Sequence, residues 1–189
     1  MKKKNIIIIA VIAVVVLLIV SLVGSYNGLV ESKETVSQMQ SEISNQLQRR
    51  ADLIPNFVAT VKGYSDYEKE TYTAVTEARA AVAKAGTVGE QATASNQLDS
   101  AIDIWVNAVT EAYPELKANE NYLALQDELA GTENRIAVSR RDYNKSAKEF
   151  NVKIKKFPRS ILAGIFRFDA FEYFEADQSA QDVPQVNFD

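Results

Sequence analysis

The chain has 189 residues and contains neither cysteine nor histidine. Without cysteine it can form no disulfide and no thiolate, and it gives no clue to the redox state of its compartment. Without histidine it lacks the usual proton shuttle near neutral pH and the commonest metal ligand. A metal site would therefore have to be built from carboxylates alone, and the acidic residues are scattered singly along the chain.

Two further patterns that carry chemistry are missing. No acidic loop of the calcium-binding type is present, and Gly86 and Gly89 do not follow a strand as a nucleotide-binding loop would. A serine or tyrosine nucleophile with a lysine base has no local signature either. The sequence therefore predicts no enzyme activity, no catalytic residue, no metal and no cofactor.

Positive charge is also scarce beyond the first residues. The net charge is −4, and removing the three lysines Lys2, Lys3 and Lys4 leaves 18 basic against 25 acidic residues, or −7. A nucleic-acid-binding domain would carry charge of the opposite sign, so nucleic acid is not an expected partner.

The most informative feature present is an uncharged apolar run from Ile6 to Val23. Eighteen helical residues rise about 27 Å, close to the thickness of the hydrocarbon core of a bilayer. A cleaved signal peptide is the alternative, but its apolar stretch is shorter, at about 7 to 15 residues. We therefore predict a single membrane-spanning helix that anchors the chain in membrane lipid.

Flanking charge favours one orientation of this span. Three lysines precede it, whereas Lys33 alone offsets Glu31 and Glu34 just after it. The positive-inside tendency then predicts a cytoplasmic N-terminus and a domain outside the membrane.

Apolar residues after the span recur in steps of three and four, which is the period of helices that pack on one another. The pattern predicts helices over about 26–62, 65–84, 90–113 and 119–156, with Asn119 capping the last. Two long and two short helices suit an antiparallel four-helix bundle, so the predicted fold is all-α. The alternative is a three-helix bundle with one long bent helix over 26–84. Pro55 predicts a kink, with Asp52 capping the turn that restarts there.

These elements give four predicted regions. A short basic N-terminus covers 1–5, the span covers 6–23, the helical domain covers 24–174, and an acidic disordered tail covers 175–189.

Two arginines, Arg50 and Arg140, fall on otherwise apolar helix seams. Antiparallel pairing of the two long helices makes contacting residue numbers sum to about 182, which sets Arg50 opposite Glu133 and Arg140 opposite Glu42. Because a buried guanidinium requires a nearby carboxylate, we expect these to be structural ion pairs. An anion-binding or catalytic role is the alternative.

The end of the fourth helix is basic and runs into an apolar, aromatic stretch over 157–168. In the four-helix layout this region returns toward the membrane. It is too short and too charged to span a bilayer, so it either closes the base of the bundle or contacts lipid at the interface. The candidate lipid-facing residues are Lys153, Lys155, Lys156, Arg159, Phe166 and Phe168.

Several strings beyond the apolar run carry a resemblance to a known family. They are Tyr26 to Val30, Leu47 to Asn56, Glu77 to Ala80, Tyr113 to Ala118, Glu133 to Ile136, Arg140 to Asn144, Phe150-Asn151, Phe157-Pro158 and Tyr173 to Glu175. In this order they resemble the LemA family over nearly the whole domain. The chain departs from the family pattern at Met39-Gln40, where a tryptophan is common, at Asp66 to Glu68, where a His-Glu is common, and at Arg167-Phe168, where a Gly-Phe is common.

The resemblance implies a bacterial membrane-anchored helical bundle with no established reaction or ligand. Relatives implicated in forming magnetosome membranes suggest membrane organisation rather than catalysis. The leading hypothesis is a scaffold or interaction module at the bacterial envelope that binds envelope proteins or itself. The alternative is a sensor or ligand-binding module. Because five residues precede the span, a sensor would need a partner membrane protein to relay its signal.

Overall fold

The computed structural model describes residues 2–62 and 69–175, excluding the side chains of 2, 62 and 69–72. These residues are helical almost throughout and contain no strand, which confirms the all-α prediction. The helices are α1 (Lys2–Lys62), α2 (Lys69–Lys84), α3 (Val88–Ala112), α4 (Glu120–Lys155) and α5 (Arg159–Phe166), with a 3-10 turn over Pro114–Ala118. The predicted tail beyond 175 lies outside the described residues.

The chain divides into two compact units. Unit 1 comprises Met1–Gln38 and Lys145–Phe171, and unit 2 comprises Met39–Asn144 and Glu172–Asp189. Helices α1 and α4 each contribute residues to both units.

Unit 2 is built from four helices, as the sequence predicts. The α1 seam supplies buried Ile43, Leu47 and Phe57, and the other helices supply the remaining core, which includes Val75, Leu98, Trp105, Tyr122 and Ile136. The Phe57 ring lies 5.1 Å from the rings of both Trp105 and Tyr122. A guanidinium nitrogen of Arg79 lies 3.8 Å from a carboxylate oxygen of Asp52, so α2 runs back alongside α1. One long bent helix over 26–84 is therefore the wrong alternative.

Local polar contacts set the helix ends in unit 2. The side chain of Thr87 accepts a hydrogen bond from the Glu90 backbone, and the Glu90 carboxylate accepts from the Thr87 backbone. This capping box begins α3 at Val88, two residues earlier than predicted. Asn119 caps α4 by accepting from Tyr122 N at 3.0 Å, as predicted. Asp52 is not a cap, because α1 continues through Pro55 and the Asp52 carboxylate accepts from the Gln48 side chain.

Unit 1 starts with the part of α1 that is long and apolar enough to cross a membrane, and none of that stretch is buried. The same helix continues past the span and buries Leu29 and Val36 against the end of α4 and the segment after it. Lys153 Nζ donates a 2.7 Å hydrogen bond to Ser32 Oγ, so the end of α4 lies beside α1 in this unit. That return agrees with the four-helix layout drawn from the sequence.

Candidate functional site

A cluster of charged side chains lies inside unit 2. The side chain of Arg50 is 5% exposed, and its Nη1 lies 2.7 Å from Asp99 Oδ1 and also contacts Glu133 Oε2. Arg50 therefore pairs with carboxylates from both α3 and α4. The sequence had set Glu133 opposite Arg50, and the structure brings the two together. Asp99, from α3, was not among the predicted residues.

Arg140 lies near the same cluster but not against Glu42. Its Nη2 donates a 2.5 Å hydrogen bond to Ser95 Oγ, and its guanidinium lies 5.3 Å from the centre of the Phe174 ring. Glu42 is exposed and accepts a hydrogen bond from the Gln46 side chain within its own helix. The predicted pairing fails because α3 supplies the nearest groups to Arg140.

Burial dominates the electrostatics of this cluster. Desolvation lowers the pKa of Arg50 and of Arg140 from the ordinary value, although Asp99 opposes the change in both. Desolvation likewise raises the pKa of Asp99 against the opposing effect of the two arginines. The two guanidinium groups stay protonated in proteins, so they act here as fixed positive charges. The chemistry of the cluster suits a fixed ion-pair network that sets how the helices pack.

Two asparagines of α4 hold the segment that follows α5. In unit 1, Asn151 Oδ1 accepts from Phe171 N at 2.8 Å, and its Nδ2 donates to Phe171 O at 2.9 Å. In unit 2, Asn144 makes the same pair of bonds to the backbone of Phe174, both at 2.8 Å. Tyr143 adds a hydrogen bond from its hydroxyl to Glu172 O. Sequence reasoning missed these clamps, although both asparagines fall in the strings that carry the family resemblance.

The six candidate lipid-facing residues divide into two groups. Lys155, Lys156 and Phe166 are exposed, and Arg159 is half-buried. Lys153 is instead engaged with Ser32, and the half-buried Phe168 ring packs 5.9 Å from that of Tyr26 and 6.3 Å from that of Phe150.

Three further exposed apolar side chains were not among the candidate lipid-facing residues. They are Phe157, Ile161 and Ile165, around and within α5. Their spacing by four was the signal available in the sequence, but no helix had been predicted over this stretch.

Unit 2 has an open groove of about 1040 Å³ between α2, α3 and the segment after α5. We call it the α2–α3 groove. Half of its lining residues are alanine, glycine, serine or threonine, and the lining also includes Ile104, which is 62% exposed. The lining residues are Ala74, Gly89, Ala92, Thr93, Asn96, Gln97, Ser100, Ala101, Ile104, Glu172, Tyr173 and Glu175.

The groove has no arrangement of groups typical of an active site. Its titratable side chains are carboxylates from the segment after α5 and the phenol of Tyr173. Across residues 2–62 and 69–175, no group of three potential metal-binding side chains converges. The groove is thus an open surface whose lining carries few titratable groups.

Comparison with known proteins identifies related sequences. The sequence model of the LemA family matches residues 39–188. The protein named magnetosome protein MamQ 2 of Paramagnetospirillum magneticum is 28% identical over 193 residues, covering 89% of this chain and 71% of that protein. The protein named LemA of Metamycoplasma hominis is 29% identical over 168 residues, covering 83% and 75%. Neither name refers to an enzymatic activity.

Proposed function

The chain belongs to the LemA family, and we propose that it is a membrane-anchored scaffold whose helical domain binds another protein at the bacterial envelope. The family and the apolar N-terminal helix make it a membrane-associated helical protein. The observation that carries the binding role is the α2–α3 groove, which combines small lining side chains with a wide opening. The sequence predicts that this domain lies outside the membrane.

The groove indicates the chemistry of the partner. Small side chains on α3, such as Ala92 and Ala101, allow the ridge of a foreign helix to approach closely. Glu172 and Glu175 add negative charge along one edge. The proposed partner segment is therefore an amphipathic helix with aliphatic side chains facing the groove and basic side chains on its flank.

Charge alone contributes modestly to such an interface. Exposed ion pairs stabilise by about 0 to 1 kcal/mol each, so most of the affinity must come from burying Ile104 and its neighbours. A change in charge should therefore alter selectivity and association rate more than the final affinity.

The absence of cysteine from the chain allows a clean crosslinking test. Ile104→Cys places a photoactivatable thiol reagent at the groove, and Ala137→Cys places it on an exposed position of α4 away from the groove. We expect the full-length protein in its native membrane to give one discrete, stoichiometric adduct from position 104 and none from position 137.

Two variants connect that adduct to the groove. Ser100→Arg adds bulk and positive charge at an exposed lining position, and it should abolish the adduct while leaving the thermal melt unchanged. Replacing Glu172 and Glu175 by glutamine keeps the shape and should weaken the adduct. Equal labelling from positions 104 and 137, or an adduct unaffected by Ser100→Arg, would contradict the proposal. An adduct of twice the chain mass would show that the partner is a second copy of this chain and not a different protein.

A further inference from the structure

We propose that α5 is an interfacial helix that rests on the same membrane leaflet from which α1 emerges. Its exposed apolar side chains enter the boundary of the hydrocarbon, and the cations around it contact anionic lipid headgroups. The inference uses the membrane anchor of the proposed function but does not depend on the α2–α3 groove.

The first observation is the two-sidedness of α5. Leu162 and Ala163 are buried within unit 1, whereas Ile161 and Ile165 project outward, the latter 67% exposed. Phe157, just before the helix, is 81% exposed. Large side chains of the predicted membrane span show similar exposure. An apolar row of this kind in a soluble domain marks a surface that is covered by something else.

The second observation fixes where that row lies. The ring of Phe166, at the end of α5, is 4.7 Å from the ring of Tyr26. Tyr26 is three residues after Val23, the last residue of the apolar run, or about 4.5 Å along the helix. Tyrosine is itself a residue that concentrates where a helix leaves the bilayer. The end of α5 is therefore held at the level of the membrane interface.

The third observation is charge. Residues 153–168 contain five lysines and arginines and no acidic residue. Lys153 is engaged with Ser32, which leaves Lys155, Lys156, Arg159 and Arg167. Among the described residues, none of these four lies within ion-pair distance of a carboxylate. Each is able to meet a phosphate, and cations near an anionic surface are attracted to it.

Contact of the exposed face of α5 with lipid accounts for all three observations. A protein partner would account for the apolar row, but it would not account for attachment of that row to the exit point of the span. The combination of an outward apolar face, neighbouring cations and a position beside the anchor is typical of helices that lie in the interface.

The test uses the full chain in vesicles of phosphatidylcholine with and without phosphatidylglycerol. Single cysteines at Ile161 and Ile165 carry spin labels, and collision with oxygen or with a water-soluble nickel complex reports the depth of each label. Val23→Cys, at the end of the span, calibrates the lipid side. Glu34→Cys is the aqueous control, because it is exposed on α1 about 16 Å along the helix from Val23.

We expect labels at 161 and 165 to match the oxygen-to-nickel ratio of position 23 and to exceed that of position 34 several-fold. A water-like ratio at 161 and 165, with position 23 still in lipid, would overturn the proposal while leaving the anchor intact. Labels that are shielded from both reagents would also overturn it, because protein would then cover the face.

The headgroup contact is tested separately by replacing Lys155, Lys156, Arg159 and Arg167 with glutamine. The labels should then lie shallower in vesicles containing phosphatidylglycerol, and added salt should reproduce this effect in the unmodified chain. Identical depths in neutral and anionic vesicles for both chains would overturn the role of these cations.

Discussion

Units 1 and 2 distribute apolar and polar groups differently. In unit 1, Asn151 is the buried polar side chain of the described part, and large apolar side chains such as Ile165 and Phe157 stand on the surface. In unit 2, the buried polar side chains include Arg50, Gln91 and Ser95, and exposed apolar side chains are few and scattered. Exposing apolar side chains to water costs free energy, and so does burying a charge without a partner. The two units must therefore offset different costs.

The contrast teaches which surroundings each unit requires. Unit 2 pairs its buried Arg50 internally, with Asp99 and Glu133. The exposed apolar side chains of unit 1, Phe157, Ile161 and Ile165, have no such internal compensation, and the proposed lipid contact of α5 supplies it. The predictions below test this contrast in order of decreasing effect.

The largest effect is expected from Arg50→Met in unit 2. Removing this guanidinium leaves two carboxylates without their buried partner, which should lower the free energy of unfolding by about 3 to 5 kcal/mol. Trp105, the only tryptophan, is buried in unit 2, so its fluorescence in a urea titration reports this unit.

The adjacent residue provides the matched control. Arg49 is 61% exposed and pairs with Glu128 at 2.9 Å. Arg49→Met should therefore change stability by about 0 to 1 kcal/mol. If the two variants unfold at the same urea concentration, the buried cluster does not hold unit 2 together.

The asparagine clamps should give the next largest effect, and they allow the same change in both units. Each of the variants Asn144→Ala and Asn151→Ala loses two hydrogen bonds to the backbone of a single residue. The free energy of unfolding should fall by about 1 to 3 kcal/mol in each. Amide exchange should accelerate at Phe174 in the first variant and at Phe171 in the second. Acceleration at neither amide would mean that the clamps do not order this segment.

Part of this arrangement could be predicted from the sequence. Spacing by three and four identified the seams, and antiparallel register set Arg50 opposite Glu133. The antiparallel register of α1 and α4 carries no information on where α3 lies. For that reason Asp99 was missed and Arg140 was assigned to Glu42. Asp99 lies beside the α3 seam residue Leu98, a position that spacing alone gives no reason to select.

The base of unit 1 was harder to predict for a conformational reason. Arg167 ends α5 in the left-handed region, with φ of 54°, and Phe168 N then donates to Ala163 O. This turn directs Phe168 toward Tyr26 rather than outward. The resemblance places a glycine commonly at this position, but an arginine gives no sequence signal for a left-handed turn.

A smaller effect is therefore expected from Arg167→Gly. Glycine adopts the left-handed conformation without the steric cost that other residues bear, so unit 1 should gain about 1 kcal/mol. Slower exchange of the Phe168 amide in detergent would show the gain. Unchanged or faster exchange would mean that Arg167 is not strained there.

The smallest expected effect concerns Tyr143 in unit 2. Desolvation, followed by the charge of Glu172, raises the pKa of its phenol to about 12 from the ordinary 10.0. Folding thus favours the neutral phenol, and this contribution to stability is complete below pH 10 and is lost as the pH rises through about 12. Tyr143→Phe should therefore remove a transition at about pH 12 from the phenolate absorbance curve. An absorbance change at about pH 12 that persists in this variant would contradict the assignment.

The contrast between the two units is tested most directly by hydrogen–deuterium exchange of the full chain in neutral and in anionic lipid nanodiscs. If lipid covers the exposed apolar side chains of α5 and unit 2 makes no lipid contact, anionic lipid should slow amide exchange across α5 and leave amide exchange across α3 unchanged. Equal exchange of α5 in the two lipids, or an equal change in α3, would contradict the account.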